Sequence, residues 1–584
     1  MTLTTSFTGT RHAATVRETL LQDDTIDLPT VQAEDESLLA ELEAKNSDNP
    51  RVYSEETGLW FANPDLSAFA KADYTPAELA ALESRLTEEG TLSIPTISGL
   101  SVHIDGKVEP VTIVAATEIN ADTPNHGEMA SMLYLRDHIQ AASALMALYF
   151  QDPEKYASEG DEARTLLFSA LHLISTPAQL ARFEAVIDQG EAVGQADWPH
   201  ISLHFGDMEG KNPNGWRNKQ DSFQMLGFLA LDAIEKGFIT ADSLSPSHKK
   251  FLASIVPFLD SVGFPNYKSS GSWEENEAAR TSVMAVETAL LHKILSMSEL
   301  EDMTFLADRH QGTTEGFAEA AERLYKAGLK EVGERLPYES PDYPEETIKH
   351  RKADAALTYV LMYDLPKLLA EEGIPIGKEQ VRLGIREIED LVLEELSHLD
   401  DPLTNGMYRY ENDSYQRVNF HTNEVQLIIR AIKRFVKAEA DERDGEIDLD
   451  MKQSLRNELT PPGRPAAWTH PLGQLSAWAA RRGNESRDEG RLQDAGEYHH
   501  LANRYLNRVL SLITGPKQYH AVLGAEGSYE IRHVQPYRLP ECYVTYELPS
   551  GTIIDVPSPH TPLNWSSAMA RQTIGLLQAT STLN

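Results

Sequence analysis

From about residue 128 onward, apolar positions recur at three- and four-residue spacing, the period of amphipathic helices. The pattern predicts helices near 138–150, 161–175, 177–189, 221–236, 246–262, 276–297, 314–330, 350–372, 378–398, 423–441, 469–482, 485–513 and 564–580. Ser175-Thr176-Pro177 and Ser245-Pro246 put a capping hydroxyl before a first-turn proline, and Gly190 and Gly373 read as stops. The first 90 residues are polar, acidic and weakly periodic, with short helix-like pieces at 34–44 and 76–87. Between 91 and 120 the character changes. Val102, Ile104, Val108, Val111, Ile113 and Val114 flank Asp105-Gly106, and Asp-Gly supplies the positive φ values of a type I′ turn, so a β-hairpin is expected.

No short repeat recurs. The connections 197–220, 263–275, 399–422 and 516–563 are too long for packing loops and are rich in Trp, Tyr, Arg and acids, a composition of working loops and not of linkers. A toroid of paired helices, its long loops gathered at one end around a pocket, accounts for both features. The expected organisation is an N-terminal region, 1–127, of mixed helix and hairpin, followed by a helical domain over 128–584.

Composition narrows the partners. The 584 residues carry 52 basic and 90 acidic side chains, a formal net charge of −38. Such a surface repels nucleic acid and anionic membrane. The one cysteine, Cys542, leaves no intramolecular disulfide and no Cys-based zinc or iron–sulfur site. The start of the chain has no basic segment leading into an apolar one, and no window holds the ~18 uninterrupted apolar residues of a spanning helix; a cytoplasmic location is expected. The pattern sets no oligomeric state. The acidic run 441–450 lacks the ligand spacing of a calcium loop and reads as a solvated linker, and His499-His500 reads as structural or solvated.

Five constellations can carry chemistry. In Gly271-Ser272-Trp273-Glu274-Glu275-Asn276 two adjacent carboxylates repel, so one can ionise while the other is kept protonated by an apolar neighbour such as Trp273; a helix N-terminus favouring acids reads the same way. Arg136-Asp137 opens a strongly apolar helix, where the aspartate reads as an N-cap with a neighbouring ion pair. Trp216 to Asp221, with Gln220, enters another helix. Arg409 lies in the aromatic and charged stretch 406–413, and Glu541 follows Pro540, ahead of Thr561-Pro562-Leu563-Asn564-Trp565. Aromatic faces with carboxylates, Arg and Asn suit sugars, and glycoside hydrolysis needs two carboxyls, one protonated and one ionised.

In this order the motifs resemble those of the glucoamylases, glycoside hydrolase family 15. Trp273-Glu274-Glu275 is similar to that family's Trp-Glu-Glu signature, Arg136-Asp137 to its Trp-x-Arg-Asp element, and 216–221 to its Gln-x-Asp loop. Asp354-Ala355-Ala356-Leu357 resembles its Asp-Ala-(Ser/Ala)-Leu helix, Arg409 to Asp413 its Arg-Tyr-Pro-x-Asp, Leu539-Pro540-Glu541 its Leu-Pro-Glu-Gln, and 561–565 its Thr-Pro-Leu-x-Trp. The resemblance spans roughly 128–580. It implies a mainly α fold, an (α/α)6 toroid, and an inverting, exo-acting hydrolase releasing glucose from the non-reducing end of α-glucans or short α-gluco-oligosaccharides. Glu274 is then the general acid and Glu541 the general base. Arg136 and Asp137 hold the terminal glucose, Glu275 and Arg409 the next sugar, with Trp216 or Trp273 as walls and Gln220 or Asp221 in contact. No metal and no cofactor are implied. Tyr134, the contracted Gln220-Asp221, Glu411 and Cys542 depart from the family pattern around the sugar subsites, which bears on the substrate more than on the reaction. The same toroid acting on trehalose or another glucoside, and a non-catalytic sensing role like that of phosphorylase kinase regulatory subunits, are the alternatives.

Overall fold

The computed structural model describes residues 11–21, 27–47, 51–114, 132–194, 197–204, 221–310, 316–441, 447–524 and 526–581. Twelve helices carry the architecture: α1 (Pro76–Glu88), α2 (Leu135–Gln151), α3 (Ala157–Ile174), α4 (Ser222–Glu235), α5 (Pro246–Ser261), α6 (Thr281–Ser298), α7 (Phe317–Arg335), α8 (Thr358–Met362), α9 (Ile385–Ser397), α10 (His470–Asp488), α11 (Leu492–Ser511) and α12 (Asn564–Ser581). The even-numbered six form an inner ring. Each packs on the next, and α12 closes onto α2. The odd-numbered six lie outside: α3 on α2, α7 on α6, α11 on α10 and α1 on α12, with α5 bridging α4 and α7, and α9 reaching α8 through a short helix, Leu365–Glu371. The fold is therefore mainly α, an (α/α)6 toroid with a β-hairpin in its N-terminal region.

Burial separates the two layers. In α6, 13 of 18 residues are buried, because an inner helix touches two ring neighbours, an outer helix and the axis. In α9 only Ile388, Glu389, Val392 and Leu396 are buried, a single stripe. The capping devices act as expected: the hydroxyls of Thr176 and Ser245 accept from the backbone N–H groups of Gln179 and His248.

The hairpin at 96–114 forms, with Asp105 at φ 50° and Gly106 at φ 75° in its turn, and its buried face packs against Leu173 of α3 and Leu203. Phe61, Leu66, Leu79, Leu82 and Leu86 share one hydrophobic cluster with the ring, so part of the segment before residue 128 completes the toroid's wall. Further back, Leu38 and Leu42 pack under a small sheet, and the Asp35 carboxylate caps the helix Asn423–Asp441 by accepting from the backbone N–H groups of Asn423 (2.8 Å) and Glu424 (2.9 Å).

Three segments differ from the sequence reading. The expected helix 350–372 is broken. Asp354 accepts from the Ala356 N–H to start a 3₁₀ turn, and Asp364 at φ 56° separates α8 from Leu365–Glu371. The connection 516–563 contains two antiparallel pairs, β1 (Tyr519–Leu523) with β2 (Tyr529–His533) and β3 (Cys542–Glu547) with β4 (Ile553–Pro557). Five consecutive residues of β3 are buried, which erases the alternation that marks a half-exposed strand. The acidic run beyond 446 is no linker: the Asp448 carboxylate accepts from the Met451 N–H and opens the helix Leu449–Leu459. Among the described residues, no helix is long and apolar enough to cross a membrane.

Candidate active site

The inner helices run parallel, so their N-termini open at one end of the ring, and the side chains there are joined in sequence. Arg136, in the first turn of α2, donates through Nη2 (2.7 Å) and Nε (3.3 Å) to Asp221 Oδ1 just before α4. The Ser272 hydroxyl donates to Asp221 Oδ2 at 3.3 Å. The Trp273 indole, ahead of α6, donates to Asp354 Oδ1 at 2.7 Å, ahead of α8. Trp273 also lies 5.6 Å from the ring of His470, which opens α10 and stacks on Trp565 of α12 at 4.3 Å. The helix dipoles thus face a common mouth with their positive ends, an environment suited to carboxylates and polarised hydroxyls.

The turn before α6 sets the first acid. Gly271 has φ 67°, and a Cβ there would fall 2.4 Å from Cδ of Arg280, so this position needs glycine. Glu274 itself adopts a left-handed backbone, φ 56°, held by its N–H donating to the Gly271 carbonyl at 3.3 Å and the next N–H to Ser270. Such conformations cost on the order of 1–3 kcal/mol and persist where the surroundings over-determine them. The side chain of Glu274 is partly exposed, and Oε1 lies 3.6 Å from Nη1 of Arg136.

Glu275 points the other way, into a buried cluster of charges. It accepts from Arg351 (2.9 Å), Arg409 (3.0 Å) and Arg456, and from Tyr410 Oη and Gln453 Nε2. Arg351 also binds Asp354, and Arg409 also binds Asp413, so three guanidiniums meet three carboxylates. Burial opposes ionisation of Glu275, but these guanidiniums win and hold its carboxyl well below the usual range. Both of its oxygens are engaged. Adjacent in sequence, the two glutamates thus occupy different environments, set by three arginines more than by the neighbouring tryptophan. Arg409 is itself walled by Trp273, Tyr415 and Trp468, each ring centroid about 5 Å from its guanidinium.

The second acid comes from the far end of the chain. Glu541 precedes β3 and is 8% exposed. Its Oε2 accepts from Gln416 Nε2 at 2.5 Å. Burial pushes its carboxyl up to about 7, against the lowering effects of Gln416 and of the nearby Arg409. Asp137, on α2, ties the two acids together. Its carboxyl is also pushed up to about 7, first by burial, and the charges of Glu274 and of Glu541 both add to the rise while Arg136 opposes it. Glu274 and Glu541, 267 positions apart in sequence, therefore both act electrostatically on Asp137 at the mouth of the ring.

Of the residues singled out in the sequence, Arg136, Asp137, Asp221, Trp273, Glu274, Glu275, Arg409 and Glu541 gather here. Trp216 and Gln220 lie outside the described residues. Asp221 precedes α4 but caps nothing with its side chain; it is the counter-ion of Arg136. Sequence reasoning passed over Gln416, Arg351, and the three residues Lys452, Gln453 and Arg456. The last three share a helix face that the acidic run just before it disguised as a linker. Lys452 is attracted by Glu275 and Glu274, but burial, then Arg456 and Lys433, brings its ammonium down to about 8.

No protein-family model and no curated protein matches this chain. Among solved structures it is similar to a glucoamylase from Saccharomycopsis fibuligera (12% identity over 88% of this chain and 98% of that one, TM-score 0.47). It is also similar to a glucoamylase from Hormoconis resinae (10%, 87% and 74%, TM-score 0.46) and to a bacterial glucoamylase complexed with acarbose (14%, 77% and 49%, TM-score 0.38).

Proposed function

We propose that the protein is an inverting glycoside hydrolase that releases glucose from the non-reducing end of α-glucans or short α-gluco-oligosaccharides. The observation that carries this reading is that Glu274 and Glu541 lie at one aromatic-walled mouth: Glu274 follows Trp273, whose ring is 5.6 Å from His470, and the Glu541 carbonyl accepts from the N–H of Thr469, the residue before His470, at 3.3 Å. Glu274, still partly open to solvent, is the general acid. A sugar seated over it removes that solvent and favours the proton-bearing form, while Arg136, committed to Asp221, exerts only its residual pull. Glu274 gives its proton to the glycosidic oxygen as the bond to the anomeric carbon breaks. Water attacks that carbon from the opposite face and yields its proton to Glu541, whose Oε1 makes no hydrogen bond among the described residues. Inversion requires about 6.5–9.5 Å between the carboxyls for that water. Asp137 and Arg136 receive the hydroxyls of the terminal sugar. Trp273 and Trp468 face its C–H patches, and Glu275 acts by holding Arg409 in place.

The test is product stereochemistry. On maltose, isomaltose, trehalose and soluble starch, NMR during early turnover is expected to show β-glucose from an α-linked substrate, and Glu274→Gln and Glu541→Gln should each lower turnover by at least about 100-fold. First products that contain no β-glucose, or a glutamine variant with near wild-type turnover, overturn the assignment.

A further inference from the structure

Glu541 is held by one side chain, and that side chain is itself held. Gln416 is fully buried and adopts a left-handed backbone, φ 57°. Its Nε2 donates to Glu541 Oε2 at 2.5 Å, and its Oε1 accepts from Cys542 Sγ at 3.2 Å and from His421 Nε2 at 3.3 Å. Two donors on Oε1 fix the orientation of the amide. Turned over, it would set its carbonyl against the Glu541 carboxylate and its NH₂ against a thiol and an imidazole N–H. His421 is suited to this part. Burial, with His560 and His520 facing it, holds its ring well below the usual histidine range and therefore neutral. With Nε2 carrying the proton, the buried Nδ1 is a bare lone pair without a hydrogen-bond partner among the described residues, the less costly of the two tautomers here.

We infer that Gln416 is a positioning residue for Glu541, locked by Cys542 and His421, which presents the carboxylate to its water with Oε2 pinned and Oε1 directed into the mouth. This rests on the reading of Glu541 as general base. A neutral donor suits the task, because it favours the ionised carboxylate by a hydrogen bond without forming an ion pair that would blunt its basicity. The other groups acting on Glu541 or acted on by it are Asp137 from α2, Arg409 and Tyr415 from the 399–422 loop, and Cys542 beside it. Of these, Cys542 and Tyr415 also bond Gln416 and lose that bond when it is replaced, while Asp137 and Arg409 keep their partners.

The experiment is a pH–rate profile of the full chain on maltose. Gln416→Met keeps the bulk and removes the hydrogen bond. It is expected to lower kcat about 10–100-fold with KM little changed, and to move the acid limb of kcat/KM up by roughly one pH unit. Should that variant not fold, Cys542→Ala, which removes one lock on the amide, is expected to move the limb the same way by less. Cys542→Ser, whose hydroxyl donates to the same oxygen, should restore it. An unmoved limb in Gln416→Met, or equal profiles for the two Cys542 variants, overturns the positioning role. Glu541→Gln assayed beside them separates the two claims. If it abolishes turnover while the Gln416 limb stays put, only the positioning role falls; if it leaves turnover intact, the general-base reading falls first.

Discussion

Replacing Glu275 by Gln tests the charge cluster behind the mouth. The bonded set is balanced, with Glu275, Asp354 and Asp413 facing Arg351, Arg409 and Arg456. Glu275→Gln keeps the shape and removes one negative charge. Arg351 and Arg409 each retain another carboxylate, whereas Arg456 loses its one carboxylate partner among the described residues and keeps the Ser414 hydroxyl, at 2.8 Å, and the Tyr415 ring. Leaving a buried charge without its partner costs about 3–5 kcal/mol, and equilibrium urea unfolding should show a loss of that size. Activity should fall too. Glu274 is the adjacent residue in a strained turn, and a displacement of about 1 Å can cost on the order of 100-fold, so kcat should drop about 10–100-fold. The double variant Glu275→Gln/Arg456→Gln restores the balance at two against two and is expected to recover at least about 1 kcal/mol over the single variant. A loss below about 1 kcal/mol in the single variant, or strictly additive losses in the pair, would refute the account of a charge-balanced clamp.

Four further outcomes are expected. As the proposed general base, Glu541 must be ionised to accept a proton, and burial pushes its carboxyl up to about 7, so kcat/KM should rise with pH up to about 7 and fall about tenfold per unit below it; an acid limb near 4.5 would contradict this. Asp221→Asn deprives Arg136 of its counter-ion, so substrate titrations should show a raised KM, and an unchanged KM would remove Asp221 from the site's support. Gly271→Ala places a Cβ against Arg280 at positive φ, and thermal unfolding should register a loss of at least about 1 kcal/mol. Glu287 of α6, bonded to Tyr267 and Gln224, is raised by burial to about 8. Its folded value exceeds its unfolded one, so its contribution is full below about 4.5 and is lost as pH rises through 8. The urea midpoint should fall over that window, and Glu287→Gln should flatten the fall.

The ring of helices was legible in the chain because an inner helix must bury most of its surface, and the threefold and fourfold recurrence of small and apolar residues states this locally. The segments that meet at the mouth were legible as candidates because aromatic, carboxylate and arginine residues recur together at loop–helix junctions in the sequence. The physical reason why Glu274 and Glu275 occupy different environments was not legible. Nothing adjacent in sequence distinguishes them; Arg351, Arg409 and Arg456, arriving from three other segments, neutralise one and leave the other at the mouth. Gln416 could not be found either, since its importance lies wholly in what its amide meets, a glutamate 125 positions on. Local pattern dictates helices and caps because backbone geometry and water act on neighbours along the chain. Protonation and orientation depend on which distant charges and donors share a buried space, and only folding assembles that space.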